Sequence, residues 1–542
     1  MTERRLADLL AAAEPNAPAP LSTLVERLAA EGRVLGTRRD GRAIGAAGLA
    51  DVEVRGVTQD SRAVRPGSLF AAIAGLHVDG HDFVAEAAAR GAAAALVERP
   101  VPDVGLPQLV VDATAGALAS AAAWWYGDPT HDLGVVGITG TDGKTTTSYL
   151  AVAALEAAGI RTGLIGTTST RIGGVAEPNA AHATTPEATV LQAALRAMVG
   201  SGDSAAVIET TSHGLALGRV GSVAYDVAIL TNLTHEHLDL HGTWEAYRNA
   251  KLSLFERLAG PAPGATPRSP KRWPRTGIVN LDDPSAAAFI GVTQEAGARV
   301  LTYGTDRAAD IRAIRVEEDA RRLRFAYTAP SGDATVELHL VGRFNVHNAL
   351  AVIALGEAVG LDPAAVREGI ASVLLVPGRM ERVDLGQPYG VVVDFAHSPA
   401  ALRTVLDLLA PAAAARGGAL IAVFGSAGER DTAKRPLMGR IAGERCRLVI
   451  VTDEDPRGED RETINDEIAR GAEAAGRRRG HDLLVIADRR SAIEAAFDRA
   501  RSGDVVLLAG KGHERSILGP LGPQPWNEVA EAEAALRRLG FG

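Results

Sequence analysis

The run Gly137-Ile138-Thr139-Gly140-Thr141-Asp142-Gly143-Lys144-Thr145-Thr146-Thr147 is the strongest single constraint on what this chain can fold into. It follows an apolar stretch, Leu133 to Ile138, whose length predicts a buried strand, and precedes an alanine-rich stretch, Ser148 to Ala158, that predicts a helix. Glycines at a strand-to-helix turn let backbone N–H groups approach an anion, and the helix N-terminus adds a favourable dipole. Lys144 supplies a point charge for phosphate oxygens, and the Thr145 or Thr146 hydroxyl a ligand for Mg²⁺. Ile138 stands where a strict Walker A sequence has its first glycine, so this is the shorter Thr-Gly-Thr-x-Gly-Lys-Thr-Thr form. The expectation is a nucleotide phosphate site; the alternative is a glycine-rich structural turn.

With 542 residues the chain is too long for one core, and three or four domains of roughly 100–200 residues are expected. The balance of 57 basic against 66 acidic residues gives a net charge of −9, which argues against a nucleic-acid partner and for a small charged metabolite. Cys446 is the only cysteine, so an intramolecular disulfide framework and a thiolate metal cage are excluded. A reducing cytoplasmic setting fits, and Cys446, beside the apolar run Leu448 to Val451, is expected to pack in a core. Residues 1–30 lack the continuous apolar segment of a signal peptide, and no stretch approaches the ~18 apolar residues of a membrane span.

Residues 1–131 mix helical patterns with short strands around Asp60-Ser61-Arg62, Pro66-Gly67 and Asp79-Gly80-His81; the first of these reads either as a solvated loop or as a ligand contact. From Leu133 to about Leu375 strands alternate with helices, the pattern of βαβ units and a mostly parallel sheet. Polar clusters follow the apolar runs, Glu209-Thr210-Thr211-Ser212-His213 in one place and Thr234-His235-Glu236-His237 in another, where open α/β sheets bind ligands. Glu209 and His237 are candidate Mg²⁺ ligands, Glu209 the stronger because Mg²⁺ prefers oxygen, and His235, His237 and His241 crowd one loop. Lys251 falls on a helix starting near Trp244, where a solvated face is the ordinary reading. The proline- and arginine-rich stretch from Gly260 to Thr276 reads as an exposed, mobile insertion. Residues 377–542 show a doubly wound pattern in which four of five apolar runs end in polar loops: 394–399, 425–431, 452–460 and 510–514.

In their order, Thr-Gly-Thr-Asp-Gly-Lys-Thr-Thr, Thr184-Thr185-Pro186-Glu187, His237-Leu238-Asp239-Leu240-His241-Gly242, Pro377-Gly378-Arg379-Met380-Glu381, Lys434-Arg435-Pro436-Leu437-Met438 and Gly510-Lys511-Gly512-His513-Glu514 resemble the Mur ligases of cell-wall synthesis. Within that family the likeness is greatest to the branch that adds the third amino acid to UDP-N-acetylmuramoyl-L-alanyl-D-glutamate, and it runs from about Val54 to the C-terminus. It implies an α/β protein of three domains: an N-terminal uridine-binding domain (1–131), a central P-loop-type ATPase domain with a mostly parallel sheet (132–376), and a C-terminal Rossmann-like, doubly wound amino-acid-binding domain (377–542). It also implies an ATP-dependent, Mg²⁺-using ligase, monomeric and cytoplasmic. Folylpolyglutamate synthases share the last two domains but lack the first. The rival readings are another amino-acid ligase of that superfamily and an inactive nucleotide-binding homologue.

Residue by residue, the resemblance implies uridine contacts from Ser61 and His77, and sugar-peptide contacts from Thr184, Thr185, Thr211 and Arg219. It places ATP on Gly140, Thr141, Asp142, Gly143, Lys144, Thr145 and Thr146, with Asn280, Arg379, Asp394 and His397 as further nucleotide partners. Thr145, Glu209, His237 and a CO₂-derived carbamate on Lys251 would serve the metal, and Lys144, Glu209, His237 and Lys251 the catalysis. Arg430, Glu454, Asp455, Pro456, Arg457, Gly510 and Glu514 would receive a diamino acid. Arg457 favours the distal carboxylate of meso-diaminopimelate, whereas Asp455 stands where the family usually has asparagine and, with Glu454, favours lysine or ornithine. The choice stays open. Asp142 and Glu236 are the other departures, and Asp142 adds a carboxylate near phosphates unless it faces metal or solvent.

Overall fold

The computed structural model describes residues 5–75, 78–179, 183–234, 238–260, 273–318 and 322–542. Its strands form three main sheets, taken up in turn along the chain. The first has six strands in the order Arg42–Ile44, Val34–Arg39, Gln108–Val111, Ala94–Val97, Ser68–Ala71, Gly56–Thr58. The four strands from Gln108–Val111 outward are parallel and the other two antiparallel. Apolar clusters cover both faces, one of them built with the helix Thr114–Trp125. Pro66-Gly67 turns the chain into Ser68–Ala71, with Gly67 at φ 89°, a conformation glycine adopts without a Cβ clash.

Eleven strands make the second sheet. Thr162–Ile165, Ala205–Glu209, Gly134–Thr139, Val227–Leu230, Thr276–Asn280, Arg299–Gly304 and Ile311–Glu318 run parallel in that spatial order. Helices cover both faces, so its middle strands read as unbroken apolar runs rather than alternating ones. The sequence reading did not anticipate the two antiparallel edges, Ser169–Ile172 with Val175–Pro178 on one side and Leu323–Thr328 with Ala334–Leu338 on the other.

The phosphate-loop strand, Gly134–Thr139, lies in the middle of this sheet between Ala205–Glu209 and Val227–Leu230. Its helix begins at Lys144, four residues before the alanine-rich run suggested, and ends at Ala157. The β-branched Thr145, Thr146 and Thr147 have modest helix propensity, yet Thr145 Oγ1 donates to Glu209 Oε2 (2.9 Å) and Thr147 Oγ1 to Asn348 Oδ1 (3.2 Å). Tertiary hydrogen bonds therefore decide the helix start. The Gly260 to Thr276 stretch is also corrected at its end: Trp273 packs against the central core, on the face of Gly134, and Thr276 already belongs to a strand. Residues 261–272 lie outside the described residues.

The third sheet has the order Glu381–Arg382, Gly390–Asp394, Val505–Ala509, Leu420–Phe424, Leu448–Val451, Leu483–Val485, with only the first strand antiparallel. The last strand in sequence, Val505–Ala509, returns between the first two long ones. That reversal opens a crevice at the carboxyl ends, where the polar loops meet. Among the described residues no helix is long and apolar enough to cross a membrane.

Cys446 ends the helix Lys434–Arg445 inside the third core, and burial pushes its thiol up to about 12. The thiolate is the reactive form, so a thiol reagent at pH 8 should leave the native protein unlabelled over minutes and titrate one thiol per chain in denaturant. Rapid labelling of native protein would contradict this packing.

Candidate active site

The phosphate loop is shaped by what crowds it. Gly140 sits at φ 146°, and a Cβ there would collide with the Thr231 hydroxyl; Gly143 sits at φ 82°, and a Cβ there would lie 2.5 Å from Asn348 Oδ1. Asn232 fastens the loop from outside, its carbonyl accepting from Thr141 N (2.7 Å) and its Oδ1 from Asp142 N (3.0 Å). Lys144 Nζ donates to the Gly140 and Thr141 carbonyls, both at 2.8 Å, so the ammonium is folded onto its own loop. Asp142 is exposed, and its carboxylate-bearing position is on the wall of the cavity beside the loop.

Glu209 closes its strand with no exposed surface. Its Oε2 accepts from Thr145 Oγ1 (2.9 Å) and Thr167 Oγ1 (2.7 Å), and its Oε1 from Thr167 N (3.1 Å) and Ser148 Oγ (3.3 Å). Thr167 was missed in the sequence. The signal was available, since Thr167-Thr168 follows the strand Thr162–Ile165 as a polar cluster at a strand end. Thr184 bonds Thr167 Oγ1 (3.0 Å); Thr185 bonds Thr211 Oγ1 (3.0 Å) and the Glu209 carbonyl (2.8 Å); Arg219 donates to the Thr185 carbonyl (2.9 Å) and pairs with Glu187. The four candidates for the sugar-peptide thus form one patch beside Glu209.

Lys251 is buried rather than solvated, which overturns the ordinary reading of a helical lysine. Its Nζ donates to the Gly140 carbonyl (2.7 Å) and lies 4.6 Å from the Tyr247 ring centroid. His241 stacks edge-on with both His213 and Tyr247 at the same end of that helix. Ser61 is buried, its Oγ 3.4 Å from Glu86 Oε2, while Asp60 and Arg62 pair on the surface. His77, His235, Glu236 and His237 lie outside the described residues.

A cavity of about 770 Å³ separates the phosphate loop from the third sheet, a volume in the range of ligand pockets. Asp142, Gly143, Thr145, Thr146, Asn280, Arg379, Asp394 and His397 all line it, eight of the eleven residues expected at the nucleotide. Arg379 reaches across with Nη2 3.4 Å from Thr145 Oγ1 and its guanidinium over the Phe395 ring (4.7 Å). Asp394 is pushed up by burial and accepts from Met380 N and Ala396 N, both at 2.8 Å. Asn280 Nδ2 donates to the Thr231 carbonyl (2.7 Å), and His397 Nδ1 lies 2.9 Å from the Phe395 carbonyl.

The diamino-acid candidates gather at the ends of Leu448–Val451 and Val505–Ala509. Gly510 is at φ 99°, and a Cβ there would lie 2.9 Å from Glu454 Oε2, a buried oxygen without a hydrogen-bond partner among the described residues. Lys511, missed as a site residue, is fully buried and pairs with Asp455 (2.7 Å) and with Glu514. Burial alone would lower its pKa, but Glu514 and Asp455 outweigh that and raise it. Asp455 also accepts from Leu518 N (2.8 Å), so its partner is Lys511 rather than Arg457. Pro456 is buried, and Arg457 takes φ 55° with its N–H on the Leu518 carbonyl (2.8 Å). Its Nε is buried with no hydrogen-bond partner among the described residues. Arg430 is exposed on the loop after Leu420–Phe424.

A phosphate loop, a buried carboxylate beside it and an arginine reaching in from the turn before the third sheet define an ATP-using ligase of the Mur type. Family comparison agrees: the Mur ligase family catalytic domain matches residues 53–126, the Mur ligase middle domain 138–356, and the Mur ligase glutamate ligase domain 378–512. The chain is 49% identical over 494 residues to a UDP-N-acetylmuramyl-tripeptide synthetase of Roseiflexus sp., covering 90% of this chain and 96% of that protein. It is 41% identical to a UDP-N-acetylmuramoyl-L-alanyl-D-glutamate–2,6-diaminopimelate ligase of Bacillus licheniformis, covering 91% and 96%. A solved structure of a ligase of the latter name superposes with TM-score 0.60 at 30% identity, covering 91% of this chain and 97% of that one. MurF of Acinetobacter baumannii, at 18% identity and TM-score 0.61 with 96% and 99% covered, shares the fold. The chain belongs to the Mur ligase family and is an ATP-dependent ligase.

Where the third sheet meets the second, burial, with Arg379 close by, pushes His513 down to about 3 from 6.5. Between those values the unfolded chain binds a proton that the folded one does not, so this contact loses stability as pH falls below 6.5 and has no effect above it. Thermal melts of wild type and His513→Asn should therefore converge or cross as pH drops from 7 to 5, the variant losing less. Parallel pH profiles would refute the buried neutral imidazole.

Proposed function

We propose that this chain joins a diamino acid to the D-glutamyl γ-carboxylate of UDP-N-acetylmuramoyl-L-alanyl-D-glutamate, at the expense of ATP, in peptidoglycan synthesis. The supporting observation is the cavity beside the phosphate loop, whose walls carry eight of the eleven residues expected at the nucleotide, with Arg379, Asp394 and His397 among them. Residues 1–131 hold the UDP end through Ser61 and His77, residues 132–376 the ATP and the sugar-peptide, and residues 377–542 the amino acid. The protein works in the cytoplasm as a monomer.

In the first step a γ-carboxylate oxygen attacks the γ-phosphorus of ATP; ADP leaves and an acyl phosphate forms. Thr184, Thr185, Thr211 and Arg219 aim the carboxylate, while backbone N–H groups of the loop and Lys144 meet the phosphates. Thr145 Oγ1 and the Glu209 carboxylate are hard oxygen donors that fit Mg²⁺, with His237 and a Lys251 carbamate as further donors. When bound, Mg²⁺ neutralises charge on the transferring phosphoryl group. In the second step the amine attacks the acyl carbon, loses its proton, and phosphate departs from the tetrahedral intermediate. Glu454, Asp455, Glu514 and Arg457 present the amino acid, and Arg379 closes the cavity against water that would hydrolyse the acyl phosphate.

ADP release with UDP-muramoyl-dipeptide and meso-diaminopimelate, L-lysine or L-ornithine in turn tests the reading. Lys144→Ala should lower turnover by about a hundredfold or more while leaving UDP-substrate affinity near wild type. Wild-type turnover in that variant would overturn the assignment. For Lys251, a carbamate carbon signal from ¹³C-bicarbonate should appear in wild type and vanish in Lys251→Ala, whose activity small carboxylates should partly restore. Asp455→Asn should raise kcat/KM for diaminopimelate relative to lysine and ornithine; no change would remove residue 455 from the selection.

A further inference from the structure

Beneath the amino-acid loops lies an ion pair outside the pocket itself. Arg489 opens the helix Arg489–Arg499 and Glu528 opens Glu528–Arg538, and neither side chain has exposed surface. Arg489 Nε donates to both Glu528 oxygens (3.1 and 2.9 Å), Nη2 donates to Oε1 (2.6 Å), and Trp526 Nε1 donates to Oε2 (2.6 Å). The outer edge of the guanidinium faces the loops: Nη2 donates to the Ala509 carbonyl (2.7 Å) and Nη1 to the Asp453 carbonyl (3.0 Å). Ala509 immediately precedes Gly510, and Asp453 immediately precedes Glu454 and Asp455.

The strands that carry those carbonyls are not neighbours. Leu420–Phe424 runs between Leu448–Val451 and Val505–Ala509, so no direct sheet pairing fixes one loop against the other. A planar guanidinium, with donors in a rigid fork, sets that spacing where a flexible or apolar side chain cannot. The two loops approach closely, since Glu454 Oε2 lies against Gly510, where a Cβ would come within 2.9 Å of it.

We propose that Arg489, held by Glu528, is a positioning residue for the incoming amino acid: it fixes the gap between the Glu454–Asp455 and Gly510–Glu514 loops without touching the substrate. The inference rests on the ligase reading and names a determinant of its amino-acid subsite. A buried ion pair is weak evidence for a stabilising role, since apolar residues of similar volume often replace one without loss of stability. Two apolar side chains, however, cannot donate to two carbonyls.

That difference supplies the test, on the purified full chain, with ATP, UDP-muramoyl-dipeptide and whichever of meso-diaminopimelate, L-lysine or L-ornithine wild type uses fastest. Arg489→Met alone leaves Glu528 an unpaired buried charge and should lower Tm. Adding Glu528→Met removes the unpaired charge and should recover part of the lost Tm, short of wild type because the Asp453 and Ala509 carbonyls and Trp526 Nε1 lose their partners. KM for the amino acid should nonetheless stay raised by about tenfold or more, with KM for ATP and the UDP-substrate within about twofold. Arg489→Lys keeps the charge but not the fork, and should give a folded protein with an intermediate amino-acid KM. A double variant or Arg489→Lys with wild-type amino-acid KM, or an equal rise in KM for all three substrates, would overturn the proposal. No ADP release by wild type with any of the three amino acids would overturn the ligase reading, and this inference with it.

Discussion

The carboxylate of Glu209 is the interaction on which the catalytic half of the molecule depends. It is a buried charge, and a buried charge persists only when its oxygens are satisfied. Four donors satisfy it: Thr145 and Ser148 from the phosphate-loop helix, and the hydroxyl and N–H of Thr167 from the loop after a neighbouring strand. Those bonds fix where the helix starts and place Thr145 at the cavity wall. Thr167 carries the network on to Thr184, and Thr145 carries it to Arg379 of the third sheet. The phosphate loop, the patch around Thr184 and the contact with Arg379 are thus linked through one carboxylate.

A second constraint, of charge balance, governs the amino-acid end. Lys511 offsets Asp455 and Glu514, and Arg489 offsets Glu528. Glu454 has one oxygen hydrogen-bonded to nothing described, while burial pushes Glu514 up. Asp455, the departure that left the choice of amino acid open, pairs with Lys511 and accepts from Leu518 N.

Much of this was legible in the sequence, for a definite reason. Parallel strands covered on both faces are short apolar runs with polar loops at their carboxyl ends, and Glu209, Asp394, Glu454 and Gly510 were picked out as candidates by that pattern. The antiparallel edges were not, because Ile311–Glu318 and its neighbours alternate in burial and lack the unbroken apolar signal. Lys251 looked like a surface lysine because one helical turn of sequence does not show that its Nζ reaches Gly140, 111 residues away. Arg489 was invisible for the same cause: its partners Asp453, Ala509 and Glu528 come from three separate segments, and only the fold brings them together.

At the turn Gly378-Arg379-Met380 the two halves meet through closely packed backbone. A Cβ on Gly378 would clash with the backbone of Gly512 and His513, so glycine lets the turn lie directly on the amino-acid loop. Met380, at φ 49°, is held in that left-handed conformation by its N–H on Asp394. Between them Arg379 extends toward Thr145, with Phe395 beneath it. Backbone packing against the amino-acid loop thus fixes a cation at the phosphate end. Displacing that loop would displace the turn that carries Arg379 as well, so the contact at Thr145 depends on the packing of Gly378 against Gly512 and His513.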